Sequence, residues 1–384
     1  MSINPFQIND NHRLNLPTLD TPPRILLGAG PSNSHPRVFA AMAAPTVGIL
    51  DPSIIRVMDE IGELLRYTWQ TDNEFTIVTS GTGSSAMEAA FANVVEPGDR
   101  VLVGVAGYFG RRMVEMSGIY GGDVRCLNAV WGEAFTLDEI RQGLETHRPQ
   151  VLALVHAETS TGVRQPLEGI AELCREHDCL LLVDTVTSLG GVPLYADAWG
   201  LDIAYSCSQK CLSAPSGVAP LTFGPRAMDK IRNRRSPVAN WYMNSGLLGK
   251  YWAGSPRVYH HTAPVHLFYA LREGLRLVAE EGLAERWARH QSIAETFWAG
   301  LEEIGLIPHV APEIRLPSLT TVRVPEGVDA AAVTRRLLTE YNIEIGGGLG
   351  DLAGKVWRVG LMGYNARREN VAVLLKALAE VLGR

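Results

Sequence analysis

Lys210 closes a run of small polar residues, Ser206-Cys207-Ser208-Gln209, that follows a short strand-like stretch at Ile203–Ser206. An isolated lysine is ordinarily a solvated surface charge. At a strand end, partial desolvation and nearby positive charge would lower its pKa and free the amine as a nucleophile for a Schiff base. Asp184 stands 26 positions earlier, directly after Leu180-Leu181-Leu182-Val183. A carboxylate there needs a cation or strong hydrogen bonds. A protonated pyridine nitrogen would serve, and so would a structural capping role. The third group is Ser80-Gly81-Thr82-Gly83-Ser84-Ser85-Ala86, where glycines let the backbone approach an anion and a helix start turns free N–H groups toward it. Gly81, Gly83 and Ala86 also fit the dinucleotide pattern. That pattern wants an acid about 20 residues on, at the end of the next strand. Here that strand ends in Ala106-Gly107-Tyr108-Phe109, so a single phosphate is the better ligand, with a plain tight turn as the simpler alternative. Tyr108 and Phe109 are either core residues or a stacking surface for a planar ring.

These groups meet only if strand ends converge, and the surrounding pattern is of the kind that makes them converge. Strand-like runs at Phe75–Ser80, Arg100–Ala106, Asp123–Ala129, Val151–His156, Cys179–Val183, Ile203–Ser206 and Val218–Phe223 alternate with helical spacing at Ser84–Val94, Thr136–Thr146 and Leu167–His177. Continuous apolar runs suit strands covered on both faces, and alternation with helices implies crossovers and a mostly parallel sheet. Beyond Pro264 the pattern changes to a long helix over roughly 266–303, strands near 318–324, 342–346 and 356–361, and helices over 330–340 and 367–382. The expectation is an N-terminal arm over 1–22, a large α/β domain over 23–265 and a small α+β domain over 266–384. A lysine for an aldehyde, a carboxylate for a ring nitrogen, a turn for a phosphate and an aromatic for a ring face are together what pyridoxal 5'-phosphate (PLP) requires.

Composition narrows the alternatives. The chain has 384 residues and a formal net charge of −6, which gives no reason to expect nucleic acid or an anionic membrane as partner. The cluster Lys230-Ile231-Arg232-Asn233-Arg234-Arg235 reads as a solvated helix end. The five cysteines, Cys126, Cys174, Cys179, Cys207 and Cys211, are odd in number and lack metal-site spacing, so reduced thiols in a cytoplasmic protein are expected and no metal. No apolar run is long enough for a membrane span, and the first residues do not read as a secretory signal. His260-His261 could suggest a metal pair, but adjacent side chains on an extended segment are expected to point apart.

Several strings taken together resemble the class V aminotransferases, most of all the alanine–glyoxylate and serine–glyoxylate branch. They are Gly-Pro-Ser-Asn (30–33), Ser-Gly-Thr-Gly (80–83), His-Ala-Glu-Thr-Ser-Thr-Gly (156–162), Val-Asp-Thr-Val-Thr-Ser-Leu-Gly-Gly (183–191), Ser-Gln-Lys (208–210), Tyr-His-His-Thr-Ala-Pro (259–264), Gly-Gly-Gly-Leu-Gly (346–350) and Trp-Arg-Val-Gly (357–360). The resemblance implies PLP fold-type I, with a seven-stranded large domain, a small C-terminal domain and a homodimer with shared active sites. By position it makes Lys210 the Schiff-base lysine and proton shuttle, and Asp184 the partner of the pyridinium nitrogen. Thr159 would bond the ring hydroxyl, Phe109 would stack on the ring, and Gly83, Ser84 and Gln209 would bind phosphate. Tyr259 and Thr262 would reach the neighbouring subunit's cofactor, and Arg358 would grip the substrate carboxylate. The family often has tryptophan in place of Phe109 and histidine in place of Ser84. The expected reaction moves the amino group of L-alanine or L-serine to glyoxylate or pyruvate. Another PLP reaction on the same fold, a lyase or hydrolase acting on a small amino acid, stays open. Cysteine desulfuration is disfavoured because no cysteine follows Cys211, and a non-catalytic nucleotide-binding module because the ribose acid is missing.

Overall fold

The computed structural model describes residues 10–384. The first nine positions of the expected arm lie outside the described residues. Of the rest, Asp10–His12 form one 3-10 turn, and the chain through Pro22 is exposed.

Seven strands form the main sheet: β1 (Phe75–Ser80), β2 (Arg100–Val105), β3 (Asp123–Asn128), β4 (Val151–Val155), β5 (Leu180–Asp184), β6 (Ile203–Tyr205) and β7 (Val218–Phe223). Their spatial order is β3-β2-β4-β5-β6-β7-β1. Pairing is parallel from β3 through β6, and β7 runs antiparallel to both its neighbours. Every residue of β5 and β7 is buried, as strands covered on both faces should be. Register sets Asp184 beside Tyr205 at one edge of the sheet, where Ser80 also ends β1. Open α/β sheets bind ligands outside the carboxyl ends of their strands.

The helices include α1 (Pro52–Trp69), α2 (Gly83–Val94), α3 (Tyr108–Ile119), α4 (Leu137–His147), α5 (Ile170–Glu176), α6 (Val265–Glu281), α7 (Leu283–Glu303), α8 (Ala330–Glu340) and α9 (Arg368–Leu382). The single helix expected over 266–303 is two. Gly282 breaks it with φ +84° and ψ 141°, a left-handed φ that suits glycine. The sequence pattern had missed α1, although Asp51 caps it and Pro52 opens it, an ordinary helix-start signal. It had also missed α3, whose start has no side-chain cap of its own. The basic cluster after residue 229 is less free than a solvated helix end: Lys230 pairs with Asp99 at 2.7 Å.

The small domain has a three-stranded antiparallel sheet of β8 (Leu319–Arg323), β10 (Val356–Gly360) and β9 (Gly346–Gly347). Its core is divided from the large one differently from the expected boundary near 265. Phe268, Leu271, Leu275 and Val278 of α6 belong to the large core, whereas Ile293, Phe297 and Leu301 of α7 belong to the small one. The change falls within α7, because α6 lies on α1 and carries its apolar face there. Leu27 also belongs to the small core. The segment Ile25–Leu26 pairs in parallel with Ile343–Glu344, so the small domain takes its first strand from before the large domain.

Gly360 shows how closely that strand lies. Its N–H donates to the Leu27 carbonyl at 2.8 Å, and a Cβ placed on it would meet the Gly28 carbonyl oxygen at 2.1 Å. Gly360→Ala must push backbone from backbone, which overpacks the small core by about 1–3 kcal/mol. Urea unfolding of the variant should show that loss; an unchanged midpoint would mean the two segments are not in contact.

Candidate active site

Lys210 sits in the turn after β6, and other parts of the chain hold that turn from behind. The Ser32 N–H donates to the Gln209 carbonyl at 2.9 Å, and Ser32 Oγ to the Lys210 carbonyl at 2.8 Å. Ser213, itself at a left-handed φ of 51°, donates its N–H to the Lys210 carbonyl at 3.0 Å and accepts the Tyr364 N–H on Oγ at 2.8 Å. The Lys210 side chain lies over Gly30, where a Cβ would stand 2.7 Å from its Cδ, and its amine donates to the Ala29 carbonyl. Burial lowers the pKa of the Lys210 amine, and the Arg358 charge lowers it further.

Asp184 is buried at the end of β5. Its Oδ1 accepts the Val186 N–H at 2.8 Å and its Oδ2 the Tyr205 hydroxyl at 2.9 Å. Burial pushes its carboxyl up to about 7 against these hydrogen bonds, with the Glu158 charge adding to the rise. A carboxylate so poor in compensation is suited to a cationic partner. Glu158 is buried too, and burial raises its pKa. Its carboxylate accepts from Ser160 Oγ at 2.6 Å, the Ser160 N–H at 3.0 Å and the Phe109 N–H at 3.2 Å. Glu158 therefore caps α3 from outside and fixes where Phe109 begins. Gly107 makes room for it, since a Cβ there would lie 2.4 Å from Glu158 Cγ and Cδ.

One cavity of about 480 Å³ collects most of the residues expected from sequence: Lys210, Asp184, Thr159, Phe109, Gly83, Ser84, Gln209 and Arg358. Gly83 and Ser84 open α2, where the first N–H groups have no intrahelical acceptor. Gln209 Oε1 is buried without a hydrogen-bond partner. Thr159 Oγ1 lies 2.5 Å from Thr187 Oγ1, and the Thr159 carbonyl accepts from Arg358 Nη1 at 3.4 Å. Arg358 Nε donates to the Gly347 carbonyl at 2.7 Å. A nucleophilic amine, a carboxylate seeking a cation, a helix start seeking an anion and an aromatic wall fit PLP. A larger cleft of about 820 Å³ opens at the opposite edge of the sheet, but its arginines Arg175, Arg226 and Arg232 are paired with carboxylates.

Tyr259 and Thr262 do not line this cavity and are exposed on the surface. Between them the histidines differ from expectation. The rings do not point apart: the two Nδ1 atoms lie 2.8 Å from each other. Trp241 stacks on His260 with centroids 4.6 Å apart, and His261 Nε2 meets Ser80 Oγ at 2.6 Å, which folds both rings to one side. Among the described residues no group of three or more His, Cys, Asp or Glu could hold a metal ion, and no helix is long and apolar enough to cross a membrane.

The profile of aminotransferase class-V matches residues 34–373. The chain belongs to the class V aminotransferases. Its fold is that of a solved alanine–glyoxylate aminotransferase from Nostoc sp., with a TM-score of 0.97 and 64% identity over 98% of this chain and all of that one. It is 46% identical over 370 residues to alanine–glyoxylate aminotransferase of Callithrix jacchus, covering 96% of this chain and 89% of the relative. It is 38% identical over 384 residues to (S)-ureidoglycine–glyoxylate transaminase of Bacillus subtilis (strain 168), covering 95% and 92%. This class V aminotransferase is therefore a PLP-dependent enzyme of fold-type I, with a seven-stranded large domain and a smaller α+β domain.

Sequence reasoning assigned no role to Tyr205, Glu158, Val186 or Arg112, all of which touch or line the site. Tyr205 stood in the string beside Lys210, but its bond to Asp184 depends on register between neighbouring strands. Glu158 was visible as a charge within a small-residue string, a signal that could have marked it.

The Asp184 carboxyl gives a test in cofactor-free protein. Its pKa in the fold, about 7, lies above its ordinary value of about 4. Between those values the native state binds more protons than the unfolded chain, so stability falls as pH rises through the window. The loss is on the order of 4 kcal/mol at most. Urea unfolding from pH 4 to 7 should show the parent protein declining relative to Asp184→Asn; parallel curves would contradict the raised carboxyl.

Proposed function

We propose that this enzyme moves the amino group of L-alanine or L-serine to glyoxylate or pyruvate, using Lys210 as the residue that bonds the cofactor. The buried, amine-bearing Lys210 beside Asp184 in a cavity that also holds Arg358 is the observation that carries this reading. The named activities of the alanine–glyoxylate relatives support the choice of substrates.

PLP, when bound, supplies an aldehyde carbon for the amine and a protonated ring that accepts electron density. The rest is the work of this chain. Lys210 Nζ, whose pKa burial lowers, serves as the nucleophile and afterwards as the base that takes and returns the proton at substrate Cα. Asp184 would hold a proton at the ring nitrogen, and Tyr205, donating to its Oδ2, fixes the carboxylate's orientation. With the cofactor bound, Thr159 would bond the ring hydroxyl, Phe109 and Val186 would line the ring, and Gly83, Ser84 and Gln209 would hold the phosphate, all from the one cavity they line. Arg358 offers its guanidinium to the substrate carboxylate, a planar fork matched to a planar acceptor. It is held by the Gly347 and Thr159 carbonyls and forms no salt bridge among the described residues.

The exposed Tyr259 and Thr262 would complete the phosphate site of a second copy, which makes the working unit a homodimer with shared sites. Their segment is anchored to Ser80, the last residue before the phosphate turn, through His261. All five cysteines are unpaired, which agrees with a reducing, cytoplasmic setting.

Adding PLP to the purified protein should produce a violet-region absorption band that L-alanine, without any 2-oxo acid, bleaches. Lys210→Ala should lose essentially all turnover, and normal transamination by that variant would refute the reading. Arg358→Gln should keep the absorption band while KM for both amino acid and 2-oxo acid rises roughly 10- to 100-fold. An unchanged KM would free Arg358 of the role. Light scattering should give the mass of a dimer; a monomer would remove Tyr259 and Thr262 from the site.

A further inference from the structure

Arg112 lines the active-site cavity from α3, one turn beyond Phe109. Its Nη1 donates to Ser84 Oγ at 3.1 Å. The guanidinium carbon lies 4.9 Å from the centre of the Phe109 ring and 5.4 Å from that of Tyr108. The neighbouring Arg111 is neutralised by Asp351 at 2.6 Å. Arg112 has no such carboxylate among the described residues. It is a cation held in place by a hydroxyl and two ring faces, with its charge unspent.

Ser84 is the second residue of α2. The helix start therefore supplies N–H groups and the Ser84 hydroxyl supplies the handle by which Arg112 is drawn to it. A phosphate monoester carries roughly −1.5 to −2 charges, whereas a helix start offers only about +0.5. A turn of neutral residues leaves most of that charge unmatched. At this position, where the family often carries histidine, Ser84 meets the guanidinium through its hydroxyl. Arg358, the other arginine in the cavity, is tied instead to carbonyls of Gly347 and Thr159, on the small-domain side.

We propose that Arg112 binds the cofactor's phosphate, supplying at the Ser84 end of the turn the positive charge that the turn itself lacks. This rests on the reading of the cavity as the PLP site. Arg112 also fixes the Phe109 ring through its cation–π contact, so the test must separate phosphate binding from ring placement. Pyridoxal, which lacks the phosphate, does so.

Cofactor-free protein is titrated with PLP and with pyridoxal, following the absorption band. Arg112→Met, which keeps length and removes charge, should raise the dissociation constant for PLP at least about tenfold and that for pyridoxal by much less. Inorganic phosphate should compete with PLP less well in the variant than in the parent. Ser84→Ala, a gentler change at the handle, should shift PLP binding in the same direction, again with much less effect on pyridoxal. Equal weakening of both ligands would assign Arg112 to ring placement and overturn the proposal. Unaltered PLP binding, with a raised KM for 2-oxo acids bearing a second carboxylate, would overturn it in favour of substrate recognition. A parent protein that binds neither ligand would remove the PLP reading and this inference with it.

Discussion

An amine taken out of water seeks to recover its hydration by moving, and a reactive lysine must not be allowed to move. The backbone around Lys210 answers that requirement. Ser32 and Ser213 bond to carbonyls of the Lys210 turn, Tyr364 bonds to Ser213, and Gly30 lets the side chain lie against the chain. These contacts come from the N-terminal segment, the large domain and the small domain. The Gly363 position is equally tight, since a Cβ there would stand 2.1 Å from Ser213 Oγ. Neither domain alone fixes the lysine; the junction of the two does.

The second constraint is electrostatic. Asp184, Glu158 and Lys210 are ionisable groups buried at one edge of the sheet, and burial acts on all three toward their neutral forms. Glu158 is compensated by four donors from its own surroundings and serves as a fixed post for α3. Asp184 has two and is left with capacity for a cation. The same chemical group is thus structural in one place and receptive in the other, and the number of donors around it makes the difference.

Much of this was legible in the sequence, and the rest for definite reasons was not. Lys210, Asp184 and the turn at 80–86 each follow an apolar strand run, so a parallel sheet had to bring them to one edge. Thr159 could be named only through the family resemblance, whereas Arg358, a charge among the apolar Val356, Val359 and Leu361, was a candidate whose role the resemblance supplied. Tyr205 and Arg112 act across elements: one depends on the register of β5 and β6, the other on how α3 lies against α2. The start of α3 was hidden because its cap is Glu158, 49 positions away from Phe109. The break at Gly282 was readable in principle as a glycine after a helical run. The close approach of His260 and His261 was not, because Trp241 and Ser80 impose it from a distance.

The divided small domain has a consequence for biosynthesis. Arg24 bonds to Asn342, 318 positions later, and Leu27 bonds to Gly360. As the chain leaves the ribosome, the first strand of the small domain must wait for nearly the whole protein to be made. The large domain can collapse on its own core in the meantime, but the Gly30–Ser32 stretch that braces Lys210 hangs from a strand with no partner. The turn that carries Lys210 is therefore fully braced only at the end of synthesis, and a nascent chain truncated before residue 343 would keep the Ser213 bond but lack the partner strand of Ile25–Leu26 and the Tyr364 contact.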